Sequence, residues 1–334
     1  MQGRLENEIK MQQTIDELMH DMPSFANDWC INLKASRRTP SSCYDYAFKI
    51  KKFLLYIRDD IKNMTPEDIT LQACESYMIA CQTKVNPNGM RVYTSDSYQL
   101  TVWSALNSFL KFLCKRGYVE DNYMEYIEKP KNHDLDRINN ERVLLTQKDF
   151  NKILKAAQDG SSFMNGLLNN RDVLIILLFM TTGMRRTAMT EINISDINFE
   201  DRTLKVIDKG NKIHTYILNE QVLEYMNKWI DDREQIKTDK TGDALFINRD
   251  GSRITARGIF NLVTKYCKKG IGKPLSPHKL RAGFCSILYN KTHDVEFVRR
   301  AVGHSNISTT ERYIQTDGKE KEKAVQIMTD LLNI

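Results

Sequence analysis

Two basic side chains lie at the predicted start of a helix in the row SPHKLRAGFCSILYN. Ser276 suits the N-cap and Pro277 the first helical position, so His278 and Arg281 fall on one face of the first turn. A different, core-facing stripe of that helix consists of Leu280, Phe284, Ile287 and Leu288. We therefore expect His278 and Arg281 to converge on something outside the packed core. Alone they can be an ordinary surface pair, but beside helix N–H groups they also suit an anion.

An arginine directly follows an apolar segment in the row RDVLIILLFMTTGMRR. A charge beside a buried segment costs free energy, so Arg185 requires a carboxylate or a phosphate as its partner. We interpret its neighbour Arg186 as a solvated surface charge.

Two lysines lie at the turn of a predicted β-hairpin, RTLKVIDKGNKIHTYIL, whose residues alternate around a Lys-Gly-Asn turn. Lysines at exposed turns are usually only solvated. A lysine at a hairpin tip can also reach over a bound substrate and donate a proton to a leaving oxygen. The turn offers both Lys209 and Lys212 for this task.

A histidine and a tyrosine lie near the end of the chain, in the row AVGHSNISTTERYIQ. Alone, this row predicts a turn that leads into a last helix, with Tyr313 half-buried. Ser308 and Glu311 are spaced as a capping box, so a short helix should begin there and hold Tyr313 firmly. His304 precedes it in a glycine-containing turn, near enough to share a pocket.

Taken together, these residues form a set rich in phosphate-binding donors. The set consists of Arg185, Lys209 or Lys212, His278, Arg281, His304 and Tyr313. No matching cluster of carboxylates for Mg²⁺ accompanies them. The combination predicts phosphoryl transfer without a metal, with tyrosine as the covalent nucleophile.

The elements that must position this set begin with helices. Residues 1–22 predict a helix with a thin apolar stripe, and a second helix begins at the capping-type row that starts with Thr39. A third helix, in SDSYQLTVWSALNSFLKFLCKRGY, ends with basic residues and the C′ glycine Gly117. We expect an all-helical first part, followed by an exposed linker over residues 127–143.

The second part is predicted to be mainly helical with a small antiparallel sheet. Thr146 caps a helix, and the apolar row that precedes Arg185 forms a helix at the core of this part. The hairpin supplies the sheet, and helices return from Ala256 to Ile334. The predicted fold class is therefore mainly α (α+β).

Length, composition and charge fit a soluble protein with two domains. At 334 residues the chain exceeds the usual size of a single core. Its 41% hydrophobic residues contain no run long enough to span a membrane, and its charged start is not a signal peptide. Seven cysteines without a CxxC pair indicate reduced thiols in a cytoplasmic protein. Residues 1–131 contain 17 basic and 17 acidic residues, so the net charge of +6 comes entirely from the rest of the chain. A moderately basic protein of this kind is compatible with nucleic acid as a partner.

Five motifs follow one another along the chain: Gly183-Met184-Arg185, the Asp-Lys-Gly-Asn-Lys hairpin turn, His278-Lys-Leu-Arg281, Val302-Gly303-His304 and Thr309-Thr310-Glu-Arg-Tyr313. In order and approximate spacing, over residues 143–316, they resemble the tyrosine recombinases of the integrase family. A single motif is a weak match, whereas five in the right order are a strong one. The helical first part resembles the core-binding domain of that family, so the resemblance covers roughly nine-tenths of the chain.

The resemblance implies a division into domains. It gives an N-terminal helix of uncertain role over residues 1–22, a DNA-binding core-binding domain over 23–128, a linker over 129–142 and a catalytic domain over 143–316. A C-terminal helix over 317–334 carries an apolar stripe, which packs on its own domain or docks on a neighbouring protomer. We favour exchange between the subunits of a DNA-bound tetramer.

The resemblance also implies roles for the basic residues. Arg185 and Arg281 clamp the non-bridging oxygens of the scissile phosphate, as bidentate guanidinium groups do. His278 accepts a proton or forms a hydrogen bond within the attacking assembly. His304 supports the phosphate through its N–H group.

The remaining roles concern the bond that breaks and the DNA around it. Tyr313 attacks phosphorus and forms a 3′-phosphotyrosine. Lys209 is the general acid for the departing 5′-oxygen, with Lys212 as the reserve candidate. Lys212 and Arg257 are further expected to contact DNA, and neither a metal nor another cofactor is expected.

Two positions depart from the family pattern. An acidic residue often stands three positions after the first arginine, where this chain has Ala188, with Glu191 further on. A polar residue often follows the second arginine, where this chain has Ala282. Neither position takes part in the reaction itself, so they affect the support around the site.

The function that the resemblance implies is a site-specific DNA recombinase, or integrase. It would bind double-stranded DNA at a specific recombination site as a homo-tetramer in the cytoplasm, with no membrane involved. The alternatives are a topoisomerase-like or resolvase-type enzyme and a non-catalytic DNA-binding regulator, which would not need Tyr313.

Overall fold

The computed structural model describes residues 2–36, 38–131, 145–160, 166–208 and 212–303. The chain divides into two units, Met1–Arg142 and Val143–Ile334. Among the described residues, no helix combines the length and the apolar character needed to cross a membrane.

The first unit consists of five α-helices and one β-hairpin in the part that is described. They are α1 Gln2–His20, α2 Ser24–Ala35, α3 Pro40–Ile57, α4 Leu71–Ala80, β1 Thr83–Val85, β2 Arg91–Tyr93 and α5 Asp96–Lys115. The core forms where α2, α3 and α5 meet, and there the ring of Trp29 packs edge-on against Phe109 with 5.1 Å between ring centroids. The predicted caps are present, because Thr39 Oγ1 accepts the N–H of Ser42 at the start of α3 and Gly117 ends α5 with φ +71°.

Helix α1 belongs to the first unit and packs along α3. Its Ile15 is buried in the core of that unit, with 1% of its surface exposed. Lys51 Nζ on α3 donates to Asp21 Oδ2, just beyond α1, at 3.1 Å. The helix predicted for residues 1–22 is thus confirmed, and the core that it joins is the one formed by α2, α3 and α5.

The expectation that the first part is all-helical is wrong, because β1 and β2 form an antiparallel hairpin between α4 and α5. Its turn is the row Asn-Pro-Asn-Gly. Asn86 Oδ1 accepts the backbone N–H groups of Asn88 at 3.0 Å and Met90 at 2.9 Å, and Gly89 has φ +79°. An Asn side chain that replaces a backbone acceptor, followed by a glycine at positive φ, is a strong signal for a turn. The prediction of an all-helical first part did not include this signal.

The linker predicted for residues 129–142 lies mostly outside the described residues, which resume at Leu145. Residues 128–131 contain no helix or strand.

The second unit is mainly helical with a three-stranded antiparallel sheet of order β3-β4-β5. Its described elements are α6 Gln147–Gln158, α7 Asn169–Thr182, α8 Arg186–Glu191, β3 Ile197–Asn198, β4 Thr203–Asp208, β5 Lys212–Ile217, α9 Glu220–Ile236, α10 Ala256–Ile271, α11 Pro277–Thr292 and α12 Val295–Val302. The core helix, the hairpin and the helix after Ser276 were all predicted and are confirmed. Thr146 and Asp149 form a capping box at the start of α6.

Helix α7 lies at the centre of the second unit, with α6, α9 and α11 packed against it. All of its residues from Arg171 to Phe179 are buried. It ends at Gly183, whose φ of +59° is the left-handed conformation that favours glycine at a helix C-terminus. A Cβ atom built on Gly183 would lie 2.5 Å from the ring of Phe284 on α11, so the end of α7 touches α11 directly. Arg185, two residues further on, is therefore placed beside the first turn of α11.

Substitution of Gly183 by alanine should destabilise the second unit more than substitution of Gly272, which ends α10. Both glycines are left-handed helix ends, with φ +59° and +73°, but a Cβ on Gly272 meets nothing within 4 Å. Gly272→Ala should lower the free energy of unfolding by about 1 kcal/mol, the cost of a left-handed backbone at alanine. Gly183→Ala should lower it by about 1–3 kcal/mol more, because the methyl group displaces Phe284. Urea unfolding measures both losses. Equal losses would show that Phe284 moves aside without cost.

Candidate active site

A pocket of about 440 Å³ lies where the turn after α7 meets the first turn of α11. The turn after α7 contributes two arginines, and α11 contributes a histidine and a third arginine. The lining consists of Met184, Arg185, Arg186, Thr187, Phe260, Ser276, Pro277, His278 and Arg281. Residues separated by almost 100 positions in the chain thus share one concave surface. The structure brings together three of the predicted site residues, Arg185, His278 and Arg281.

Arg185 is held at the N-terminal end of α8 by the buried side chains on both sides of it. It occupies the N-cap position with extended backbone, φ −77° and ψ 148°, and is half-buried. Met184 before it and Met189 after it are fully buried. The apolar anchors fix the backbone, so the guanidinium group reaches the pocket from a rigid base.

Arg281 is buried, with 2% of its surface exposed, although it lines the pocket. Its Nη1 donates to the carbonyl oxygen of Gly183 at 2.6 Å, and its Nη2 donates to that of Val302 at 2.8 Å. The expectation that Arg281 faces outside the packed core is therefore wrong. The physical reason is that α7 and α12 both end beside it, and their C-terminal carbonyl groups, which carry partial negative charge, accept hydrogen bonds from the guanidinium group.

His278 is exposed in the first turn of α11, as expected. Its pKa lies below 6.5, because desolvation disfavours the imidazolium and because Arg281, Lys279 and Arg185 are positively charged. The ring is therefore neutral at neutral pH. A neutral imidazole accepts at one nitrogen and donates at the other, so His278 can take up a proton or orient an acidic group.

Tyr216 on β5 lies close enough to Arg185 and Arg281 for their charges to affect its pKa. Burial raises the pKa of its phenol, and Arg281 and Arg185 oppose that rise. Both guanidinium groups thus act on one side chain. Tyr216 was not predicted to be near the site, because the hairpin pattern gives the strand but not the element that its inner face meets.

Arg186 and Phe260 also line the pocket, where the sequence did not place them, and Arg257, which is expected to contact DNA, lies against Phe260. Arg186, interpreted as a solvated charge, is exposed as expected but also lines the pocket. Arg257, in the first turn of α10, stacks over the ring of Phe260 at 5.3 Å, and Phe260 lines the pocket. The sequence could have indicated that Arg257 and Phe260 are in contact, because residues three positions apart on a helix are neighbours.

Several predicted residues lie outside the described residues. They are Lys209, His304, Tyr313 and the capping box of Ser308 and Glu311, together with the C-terminal helix expected over residues 317–334. Lys212 begins β5, where it is paired with Asp208, but its side chain is not described. The last described residue is Gly303, which directly precedes His304.

Comparison with known proteins identifies the family. The model named phage integrase family matches residues 144–320, which is more than half of the chain. The chain belongs to this family. The tyrosine recombinase XerD of Staphylococcus haemolyticus is 32% identical over 212 residues, which cover 63% of this chain and 68% of the relative. The tyrosine recombinase XerC of Vibrio cholerae is 29% identical over 237 residues, which cover 69% of this chain and 70% of the relative.

Solved structures share the fold of this tyrosine recombinase. XerH bound to a palindromic difH substrate in a post-cleavage complex has a TM-score of 0.64 at 20% identity, covering 95% of this chain and 89% of that one. A lambda integrase tetramer bound to a Holliday junction has a TM-score of 0.60 at 17% identity, covering 87% and 76%. The predicted fold class, mainly α with a small antiparallel sheet, is confirmed. As a member of the tyrosine recombinases, the chain is an enzyme that breaks and rejoins DNA strands.

Replacement of Arg185 by glutamine should raise the pKa of His278 towards 6.5, because it removes one of the charges that disfavour the imidazolium. Arg186→Gln is the matched control, since Arg186 is not among the groups that lower this pKa. Titration of the His278 ring resonances by NMR measures both variants. The electrostatic account of the site fails if the two substitutions raise the pKa equally.

The same shift has a consequence for stability. The folded state binds the His278 proton less readily than the unfolded chain, whose pKa is near 6.5. His278 therefore contributes nothing unfavourable above that pH and destabilises the fold as the pH falls below it.

Proposed function

We propose that this recombinase cuts and rejoins DNA through a covalent 3′-phosphotyrosine, and that the pocket of Arg185, His278 and Arg281 holds the scissile phosphate. The observation that carries the proposal is the meeting of these three side chains on one concave surface. No carboxylate is among the described lining residues, so the pocket is strongly electropositive. A phosphodiester, with one negative charge and two non-bridging oxygens, matches that surface in charge and in hydrogen bonding.

The proposed nucleophile is Tyr313. Its phenolic oxygen forms a bond to phosphorus, the bond from phosphorus to the 5′-oxygen breaks, and Lys209 donates a proton to that oxygen. His278 takes up or orients the phenolic proton, and His304 donates a hydrogen bond to the phosphate. Arg185 and Arg281 stabilise the charge that builds up on the non-bridging oxygens in the transition state.

The covalent link explains how rejoining needs no external energy. The phosphotyrosine is a phosphodiester like the bond that it replaces, so the 5′-hydroxyl of a second strand can displace the tyrosine in the reverse reaction. The strand is then resealed without ATP. If the hydroxyl comes from the partner duplex, the outcome is recombination.

We further propose that four copies act together on cytoplasmic DNA, each at one strand of a specific recombination site. The lambda integrase tetramer on a Holliday junction, which has the same fold, supports this assembly. In the proposed tetramer of this chain, residues 23–128 would bind the DNA and residues 143–316 would perform the reaction. The helix expected over residues 317–334 would dock on a neighbouring subunit. Arg186, which lines the pocket, and Arg257, which stacks on the lining residue Phe260, would contact the phosphates that flank the scissile one.

A nicked duplex tests the covalent intermediate, because loss of the short strand past the nick traps it. Duplexes are taken from the DNA that flanks the gene, incubated with the full chain in EDTA and separated in SDS. We expect a protein–DNA adduct that Tyr313→Phe abolishes and that Tyr216→Phe, the matched control, retains.

Three results would contradict the proposal. They are an adduct that persists in Tyr313→Phe, an adduct that requires Mg²⁺, and binding that gives only a salt-sensitive gel shift. The last would indicate a DNA-binding regulator without catalytic activity.

A substrate with a sulfur leaving group tests whether Lys209 or Lys212 is the general acid. When sulfur replaces the bridging 5′-oxygen, the leaving group departs without a proton, so loss of the general acid no longer matters. Lys209→Ala should slow adduct formation by about 10²–10⁴-fold on the normal substrate and be restored on the sulfur substrate, whereas Lys212→Ala should change both equally. Rates in single turnover measure this. Restoration of Lys212→Ala alone would transfer the role to Lys212.

A further inference from the structure

The turn that ends α12 rests directly on a side chain of the β-sheet. Gly303 has φ +67°, and a Cβ atom built on it would lie 2.2 Å from Cε1 and 2.5 Å from Nε2 of His214. Real Cβ atoms do not approach other atoms so closely, so the imidazole edge occupies the space that a side chain at 303 would need. The backbone of Gly303 and the ring of His214 are therefore in contact.

The sheet fixes the position of that ring. His214 lies in β5 opposite Val206 of β4, which is buried, and its ring centroid is 6.4 Å from that of Tyr216. Along β5 the side chains alternate between two faces, and Ile213 and Ile217 are on the exposed face. His214 and Tyr216 therefore point to the other side, towards α12 and the arginines.

A second contact holds the same turn from the direction of α11. Arg281 Nη2 donates to the carbonyl oxygen of Val302, the residue before Gly303, at 2.8 Å. Arg281 also holds the carbonyl oxygen of Gly183, which lies two residues before Arg185. The segment that leads into residue 304 is thus fixed by the hydrogen bond from Arg281 and by the packing of His214.

We propose that His214 is a positioning residue for strand cleavage: its ring is the platform that places the Gly303 turn, and with it His304, at the scissile phosphate. The inference rests on the proposed role of His304, which follows Gly303 in the chain. The same strand, β5, begins at Lys212, three positions after the proposed general acid Lys209 in the chain. Misplacement of a catalytic group by about 1 Å can cost about 10²-fold in rate.

Cleavage of the nicked duplex in single turnover tests the catalytic effect. His214→Ala should form the Tyr313 adduct about 10–100-fold more slowly, while its dissociation constant for the same DNA stays within about twofold of the wild type. Thr215→Ala, on the exposed face of the same strand, is the matched control and should change neither. His214→Phe keeps a flat ring and should recover most of the rate. If His214→Phe is as slow as His214→Ala, or if His214→Ala cleaves at the wild-type rate, the platform role is wrong.

A double-mutant cycle tests the contact itself. Gly303→Ala should slow cleavage, in part through its positive φ and in part because the methyl group pushes the ring of His214. In the His214→Ala background the second part disappears, so Gly303→Ala should cost at least about threefold less there. Additive effects of the two substitutions would contradict a coupling between them.

Amide hydrogen exchange provides a readout that does not depend on catalysis. The N–H of Gly303 donates to the carbonyl oxygen of Arg300 at 3.1 Å, and this bond should open more often without the platform. We expect about tenfold faster exchange at residues 301–303 in His214→Ala and no change in Thr215→Ala. Unchanged exchange would overturn the inference even if the Tyr313 adduct forms, and faster exchange without any wild-type adduct would place the failure in the proposed function instead.

Discussion

The arrangement of the second unit depends on one buried guanidinium group. Arg281 joins the carbonyl ends of α7 and α12 to the first turn of α11, through hydrogen bonds of 2.6 and 2.8 Å. Helix C-termini expose carbonyl oxygens that need donors, and a buried cation needs acceptors, so each group satisfies the other. The segments that precede Arg185 and His304 both end at this point. The chain thus uses the same residue to build the pocket and to line it.

The electrostatics of the pocket follow from this arrangement. Arg185, Arg186 and Arg281 are gathered at one surface, and the lining residues that the structure describes include no carboxylate. Desolvation lowers the pKa of His278, and the charges of Arg281 and Arg185 lower it further; the same two charges oppose the rise in the pKa of Tyr216. Gathering like charges costs free energy in the protein alone, and a bound phosphate relieves that cost. The proposed phosphate would therefore stabilise the site when it binds.

Local features of the fold were predictable from the sequence. Three features depend on residues a few positions apart, and each leaves a recognisable pattern in the sequence. They are the helix caps at Thr39 and Thr146, the glycines that end helices, and the pairing of β4 with β5. The pairing of β1 with β2 also joins residues that are close in the chain, so its Asn-Pro-Asn-Gly turn could have predicted a hairpin there.

Contacts between distant segments were not predictable in this way. The burial of Arg281 depends on two carbonyl groups contributed by other helices, and helical periodicity says nothing about them. His214 was visible only as one member of an alternating strand, because its partner Gly303 is almost 90 positions away in the chain. The resemblance of five ordered motifs to a family predicted that Arg185, His278 and Arg281 share one site, and the fold places all three in the lining of one pocket.

The raised pKa of Tyr216 bears on the choice between two phenols. Two nearby guanidinium groups would by themselves favour a phenolate, which is the reactive form of tyrosine. Burial outweighs them, so this phenol keeps its proton at neutral pH. Closeness to the two arginines therefore does not by itself make Tyr216 a phenolate, because desolvation of its ring opposes their charge.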